Sequence, residues 1–150
     1  MKKFKFSLEK ILELKKFNEE ECKMALGHAI SLLNEIEIKI KETAVKHHQA
    51  TQERVKDPSE LSMWSNYIIR LDQEKEKLLE QAAKAAVVVE EKRDLYMEAF
   101  QELTAIKKLK EKKETQYKKE TERKESEEID EIFAVRQNKR KGNIVYEENK

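Results

Sequence analysis

One heptad register, held from Leu61 to Ile106, constrains the fold of this chain more than any other feature. Its fourteen positions alternate in steps of three and four residues, and only Lys75 and Lys92 are polar. The positions are Leu61, Trp64, Ile68, Leu71, Lys75, Leu78, Ala82, Ala85, Val89, Lys92, Tyr96, Ala99, Leu103 and Ile106. A seam that recurs every 3.5 residues keeps one helix face against a partner helix. The register therefore predicts a coiled-coil helix.

The composition disfavours other folds. Charged residues make up 42% of the 150 residues, and the chain has only two glycines and one proline. Because strands and tight turns are usually bounded by such residues, an all-β or mixed fold is not expected. The hydrophobic share of 38% is small for a globular core but sufficient for a helix–helix seam. Disorder is the competing interpretation of so charged a chain, and the continuous register argues against it.

Net charge and targeting signals narrow the class further. The formal net charge is +1, so no sequence-wide attraction to nucleic acid or to an anionic membrane is expected. Cys22 is the single cysteine, which fits a reducing compartment. The start of the sequence lacks the apolar run of a signal peptide, and no run of about 18 apolar residues occurs. We expect a cytoplasmic protein without direct membrane insertion.

The sequence Asp57-Pro58-Ser59-Glu60 is the clearest boundary between elements. Asp57 suits an N-cap, Pro58 the first helical position, and Glu60 the third position of a capping box. We expect helix 1 over about residues 7–56, with Ser7 as its N-cap, and helix 2 from about residue 58. A connection this short makes consecutive helices antiparallel. The predicted fold is all-α: a single antiparallel coiled-coil hairpin of two long helices, the second longer than the first.

The seam of helix 1 is less regular than that of helix 2. It is predicted to begin with Phe4, Leu8, Ile11 and Leu14, to weaken between residues 15 and 21, and to end in polar turns after residue 43. Its clearest stretch consists of Cys22, Leu26, Ala29, Leu33, Ile36 and Ile40.

Helix 2 is expected to extend beyond the start of helix 1. After Ile106 the next heptad positions are Lys110 and Lys113, which cannot continue an apolar seam. We therefore predict an unpaired helix from Leu109 to at least Ile129. Gly142-Asn143 is a helix stop signal, so helix 2 is expected to end near residue 141, followed by a mobile tail over 142–150.

No residue pattern indicates catalysis or a bound group. His47 and His48 are adjacent, so on a helix they diverge by about 100° and do not form a chelating pair. Cys22 lies on the apolar seam, where a small buried side chain is the simplest interpretation. We expect no enzyme activity, no cofactor and no metal site.

Charge is arranged in blocks near both ends of the sequence. Residues 1–16 and 132–142 each carry a local charge of +4, residues 107–119 carry +5, and residues 120–131 carry −5. In an antiparallel hairpin the first and last blocks lie toward the same end, together with apolar residues that we expect to be exposed: Phe4, Phe6, Ile132 and Phe133. One interpretation is a helix kept soluble by charge. The other is a docking tip for an acidic partner with apolar contacts. Nucleic acid is a weaker candidate because the acidic block repels phosphate.

Several motifs, in their order and spacing, resemble those of the flagellar export protein FliJ. They are Phe4-x-Phe6-x-Leu8-Glu9-x-Ile11-Leu12-x-Leu14, Glu19-Glu20-Glu21, Trp64-x-x-Tyr67 with Leu71, Arg93-x-Leu95-x-x-Ala99, and Leu109-Lys110-Glu111-Lys112-Lys113 to Tyr117-Lys118-Lys119, followed by Glu125 and Asp130-Glu131. The resemblance spans residues 4 to 140.

The resemblance implies a non-enzymatic, cytoplasmic component of the flagellar type III protein export apparatus, peripheral to the membrane. Proteins of this family are similar to the central stalk of rotary ATPases, with both chain ends at a tip that enters the hexameric export ATPase and promotes its assembly or activity. The opposite end is associated with the export-gate membrane protein and with export chaperones. The docking residues it implies are Phe4, Phe6, Leu8, Ile11, Asp130, Glu131, Arg136, Lys139 and Arg140, and those for the gate or chaperones are Asn66, Tyr67, Leu71 and Leu78.

Two alternative functions remain open. An injectisome stalk of the same design would serve virulence secretion in place of motility. A self-associating structural coiled coil would need an apolar surface left over after the hairpin forms, whereas we expect the free protein to be a monomer that does not bind nucleic acid.

Overall fold

Two long helices account for most of the chain in the computed structural model, which describes the backbone of residues 2–148 and the side chains of residues 2–142. Helix α1 spans Glu9–Lys56, a 3₁₀ turn spans Pro58–Glu60, and helix α2 spans Leu61–Glu148. No strand occurs within residues 2–148. The all-α hairpin with a longer second helix is confirmed.

The turn between the helices has the predicted N-cap but not the predicted capping box, because the Asp57 amide donates to the Glu53 carbonyl at 3.1 Å and not to the Glu60 side chain. Asp57 has extended backbone angles, φ −125° and ψ 90°, and Pro58 follows at the first position. The Ser59 amide donates to Asp57 Oδ1 at 3.2 Å, and the Ser59 hydroxyl donates to the same oxygen at 2.6 Å. The predicted N-cap is confirmed, and α2 follows three residues later than expected because the first turn is 3₁₀.

The predicted register of α2 matches the observed burial. Of its fourteen positions only Leu61 and Lys75 are exposed. The fully buried positions are Ile68, Leu71, Leu78, Val89, Ala99 and Leu103. The remaining six are half-buried, which is the pattern of a seam covered by one partner helix.

The seam of α1 is more regular in the structure than in the sequence prediction. It continues through polar residues, since Thr43 and Ala50 are buried and His47 and Arg54 are half-buried at steps of four, three and four residues. The Thr43 hydroxyl donates to the Lys39 carbonyl at 2.8 Å, which satisfies a buried polar group inside the seam. The turns predicted to be polar therefore still contribute to the seam, through Thr43 and His47.

Backbone contacts divide the chain into two compact units, residues 13–103 and residues 1–12 with 104–150. In the unit 13–103 the helices are antiparallel. The Lys15 ammonium lies 2.7 Å from Glu102 Oε2, and His47 Nε2 lies 3.1 Å from Asp72 Oδ1, so early residues of α1 meet late residues of the paired part of α2.

The other unit contains the start of α1 and the described end of α2, and both differ from the prediction. Helix α1 begins at Glu9, two residues after Ser7, and the Leu12 amide donates to the Leu8 carbonyl at 2.9 Å. Helix α2 does not stop at Gly142-Asn143 but continues to Glu148. Gly142 lacks the positive φ that a helix-terminating glycine adopts, so it acts as an ordinary helical residue. Residues 149 and 150 of the expected tail lie outside the described residues.

Within the described residues, no helix is long and apolar enough to cross a membrane.

Candidate functional site

A non-helical segment at the start of the chain, residues 2–8, forms what we name the N-terminal strap, with a turn at residues 7–8. The rings of Phe4 and Tyr117 pack with centroids 5.6 Å apart at an interplanar angle of 44°. Just after the strap, Glu9 Oε2 forms an ion pair with the Lys110 ammonium at 2.9 Å. The strap therefore lies along α2 beyond the first turn of α1.

The strap overturns the prediction of an unpaired helix from Leu109. Five polar or aromatic residues continue the half-buried stripe of α2: Lys110, Glu114, Tyr117, Thr121 and Glu125. The physical reason is that a non-helical chain advances further per residue than the roughly 1.5 Å of a helix. From the pair Glu9–Lys110 to the pair Phe4–Tyr117, five positions at the start of the chain span seven positions of α2. The exposed part of α2 begins at residue 126 instead.

The alternating lysines and phenylalanines at the start of the sequence are explained by the strap. Phe4, Phe6 and Leu8 are half-buried, whereas Lys3, Lys5 and Ser7 are exposed. A period of two is the signature of an extended segment with one covered face. The prediction that Phe4 and Phe6 are exposed was wrong, because α2 covers one side of each ring.

The first turns of α1 bury a different leucine from those that the sequence prediction selected. Leu12 is 2% exposed, while Ile11 is 42% and Leu14 is 66% exposed. Of the predicted docking residues on this side, Ile11 therefore offers the most surface. The correct register runs from Leu8 to Leu12 to Lys15, in steps of four and three residues. The sequence prediction missed this register because Lys15 is charged.

The last described turns of α2 are exposed from residue 126 to residue 142. Four large apolar side chains there are each more than half exposed, followed by four basic residues without an acid. These eight residues, which we name the terminal surface, are Ile129, Ile132, Phe133, Val135, Arg136, Lys139, Arg140 and Lys141. Asp130 and Glu131 lie within the same exposed turns. Isolated helices gain nothing from exposed phenylalanine and isoleucine, so an apolar patch of this kind indicates a contact surface.

At the other end of the hairpin the four predicted contact residues differ in exposure. Asn66 is exposed and Tyr67 half-buried, but Leu71 and Leu78 are 3% and 7% exposed. Leu71 packs with Ala50 and Ile68 in a small core, against which Trp64 and Tyr67 also pack. Burial removes Leu71 and Leu78 from any surface that a partner can reach, so Asn66 and Tyr67 remain.

A groove lies beside this small core. It is lined by Lys46, Gln49, Ala50, Gln52, Glu53, Met63, Trp64, Tyr67 and Arg70. The rings of Trp64 and Tyr67 meet edge to face with centroids 6.1 Å apart. The sequence prediction did not identify this groove.

His47, His48 and Cys22 each lie beside a polar side chain. His47 pairs with Asp72, and His48 Nε2 lies 3.1 Å from Gln52 Nε2, one turn along α1. Cys22 is half-buried, with Asn18 Oδ1 at 4.0 Å from its sulfur. Within the described residues no group of three or more histidine, cysteine or carboxylate side chains could hold a metal ion.

A family model described as "Flagellar FliJ protein" matches residues 4–143. The chain belongs to the FliJ family. Neither a curated protein nor a solved structure gave a significant match.

Membership of the FliJ family makes this chain a component of the flagellar export apparatus, and the family is structural and not catalytic. The match covers residues 4–8 of the strap, all of α1, α2 as far as residue 143, and the whole basic run that ends the terminal surface.

Proposed function

We propose that this FliJ-family protein is a non-enzymatic stalk of the flagellar type III export apparatus, which docks the terminal surface into the hexameric export ATPase and promotes its assembly or activity. The observation that carries the proposal is the terminal surface itself. Its apolar side chains are more than half exposed and lie directly before a basic run.

Such a surface suits a ring whose inner wall is acidic and has apolar pockets. Apolar contacts in the centre of an interface supply most of the affinity, while complementary charge accelerates association. The four apolar residues fall within seven positions of α2, so they occupy two turns of the helix, in a stretch whose side chains are exposed. Ile11, exposed on α1 in the same unit, adds an apolar residue to this end of the chain.

The test is stimulation of ATP hydrolysis by the purified export ATPase of the same organism. We expect the parent protein to raise the rate, and Ile132→Ser with Phe133→Ser to abolish the increase. The matched control is Val87→Ser with Val88→Ser, since these valines are also exposed but lie in the other unit. The proposal would be contradicted if the Ile132→Ser, Phe133→Ser variant still stimulated ATP hydrolysis, or if the control variant did not.

We also propose that the hairpin end contacts the export-gate membrane protein and export chaperones. What supports this is the exposed Asn66, which is adjacent in sequence to Tyr67, a half-buried residue that lines the groove at the hairpin end. Binding of the isolated cytoplasmic domain of the gate protein should weaken in Asn66→Ala and remain unchanged in Asn18→Ala, an exposed asparagine near the start of α1.

One observation favours self-association as a second candidate. Met24, Ile38 and Val45 are each more than half exposed on α1, at multiples of seven residues. Residues spaced by seven lie on one side of a helix, so an apolar line remains after the hairpin forms. Sedimentation at several concentrations distinguishes a monomer from an oligomer that uses this line, and Ile38→Lys should dissociate such an oligomer.

A further inference from the structure

The unit that holds the strap is densely basic. Residues 2–12 and 104–119 contain eleven lysines against three glutamates, a local net charge of +8, and no arginine. Lys110 is paired with Glu9. The other ten are exposed, and none has an ion pair within the described side chains. This group, which we name the lysine collar, is Lys2, Lys3, Lys5, Lys10, Lys107, Lys108, Lys112, Lys113, Lys118 and Lys119.

The lysine collar offers charge and little else. Every large apolar side chain of residues 2–10 and 104–119 is at least half covered: Phe4, Phe6, Leu8, Ile106, Leu109 and Tyr117. The aromatic pair Phe4 and Tyr117 is used internally, ring against ring. The collar is therefore distinct from the terminal surface, which combines exposed apolar groups with arginine.

This chemistry discriminates between classes of partner. Protein interfaces are enriched in aromatic residues and arginine and depleted in lysine. Nucleic-acid sites use arginine in bidentate contacts or free aromatic rings for base stacking. A bilayer with anionic headgroups requires only clustered cations near its surface, and clusters of four to eight are sufficient.

We propose that the lysine collar adsorbs electrostatically to anionic phospholipid headgroups at a bilayer surface, without insertion. The proposal does not rest on ATPase docking, because it uses a different set of side chains.

The geometry of α2 allows several lysines to act together. Lys108, Lys112 and Lys119 are separated by four and seven residues, so they lie within roughly 40° of one another around the helix. Lys113 and Lys118 flank this line. Because the Debye length of about 8 Å is close to the width of a helix, flanking ammonium groups also experience the surface potential.

The acidic block at residues 120–131 limits the contact but does not cancel it. Its midpoint is about twelve residues from the midpoint of the lysines on α2, or roughly 18 Å along the helix. That distance is about two Debye lengths at physiological salt, so the block offsets little of the attraction of the lysines up to residue 113, while Glu120 directly follows Lys119.

The test is co-sedimentation of the full chain with vesicles of two compositions. We expect binding to equal parts of phosphatidylcholine and phosphatidylglycerol, loss of binding in high salt, and none to phosphatidylcholine alone. Lys108→Gln, Lys112→Gln and Lys119→Gln together should lower the partition coefficient on the order of 100-fold, since each lysine near an anionic surface contributes about fivefold.

The matched control replaces three exposed lysines of the other unit, Lys23, Lys41 and Lys77, by glutamine. It removes the same charge and should bind vesicles like the parent. Equal loss in both triple variants would show an effect of net charge alone and overturn the proposal, as would binding to neutral vesicles. Tighter binding of single-stranded RNA than of anionic vesicles would assign the collar to nucleic acid instead and also overturn it.

ATPase stimulation of the same variants separates this proposal from the previous one. The collar variant should lose vesicle binding and keep stimulation, whereas the Ile132→Ser, Phe133→Ser variant should do the reverse. A collar variant that keeps full vesicle binding contradicts the lipid proposal whatever the ATPase result.

Discussion

Phe4 and Tyr117 lie 113 positions apart in the sequence, and their rings pack with centroids 5.6 Å apart. The contact places the strap on α2. The fully exposed part of that helix therefore begins at residue 126 and not at Leu109, as the sequence predicted. Together with the Glu9–Lys110 ion pair, this contact accounts for the partial burial of α2 from Lys110 to Tyr117.

The first prediction concerns this contact. Phe4→Ala should lower the free energy of unfolding by about 1 kcal/mol, because an aromatic pair contributes roughly 0.5–1.5 kcal/mol beyond its buried area. Amide exchange of residues 113–121 should become faster in the variant. The control is Phe17→Ala, since Phe17 is 60% exposed. Identical exchange in Phe4→Ala and parent would mean that the strap does not protect α2.

A second prediction addresses the end of α2. Backbone amides of residues 126–142 should exchange quickly, since their side chains are exposed and the helix there lacks tertiary contacts in the described structure. Residues 110–121 should exchange more slowly. Deletion of residues 2–6 should make both segments exchange quickly, which shows that the strap and not helix propensity protects the first of them. Slow exchange throughout residues 126–142 would mean that something else covers this end.

A third prediction tests the seam through Leu71, which is 3% exposed. Leu71→Asp buries a carboxylate and removes a packed leucine. The free energy of unfolding should therefore fall by more than in a leucine-to-alanine change, which costs about 2–5 kcal/mol. Its melting temperature by circular dichroism should fall sharply. Ile69→Asp, two residues away at a 54% exposed position, should melt close to the parent. Equal melting temperatures for the two variants would show that the register is wrong.

The fourth prediction uses a residue that the sequence does not distinguish. Ala50 is 1% exposed, whereas Ala44 on the same helix is exposed. Ala50→Leu should therefore overpack the core with Ile68 and Leu71 and cost about 1–3 kcal/mol. Ala44→Leu should leave the unfolding free energy nearly unchanged, and urea denaturation of the pair provides the comparison.

These residues show how far the sequence determines the fold. The α2 seam was predictable because its positions are apolar, so periodicity alone identified them. The α1 seam was only partly predictable because Lys15, Thr43 and His47 are polar, and their places in it depend on partners elsewhere. Lys15 pairs with Glu102 and His47 with Asp72, and neither pairing is visible until the register between helices is known.

The candidate site divides in the same way. Exposed apolar residues at 129–135 could be predicted, since nothing was available to cover them once the helices were paired. The covering of Phe4 and Phe6 could not be predicted, because it depends on residues 2–8 not being helical. The alternation of lysine and phenylalanine was the available signal, and it was too short to identify an extended segment by itself.

The last prediction separates charge from apolar contact at the terminal surface. Arg136, Lys139 and Arg140 are exposed and follow the apolar group without an intervening acid. Reversing all three to glutamate should abolish ATPase stimulation at physiological salt, because an acidic ring wall would then repel the surface that it is proposed to attract. Helicity by circular dichroism should not change, since these side chains make no ion pair within residues 2–142.

Two controls make the charge reversal specific. Reversing Lys23, Lys41 and Lys77 changes the net charge equally, in exposed residues of the other unit, and should preserve stimulation. Exchanging the charges of Lys75 and Glu76, near the hairpin end, should also preserve it. Stimulation by the parent should rise more slowly with concentration at high salt, because salt screens the steering charges and leaves the apolar contacts intact. The variant with Arg136, Lys139 and Arg140 reversed could instead stimulate as well as the parent at every salt concentration. The basic run would then have no part in docking, which would depend only on the apolar residues of the terminal surface.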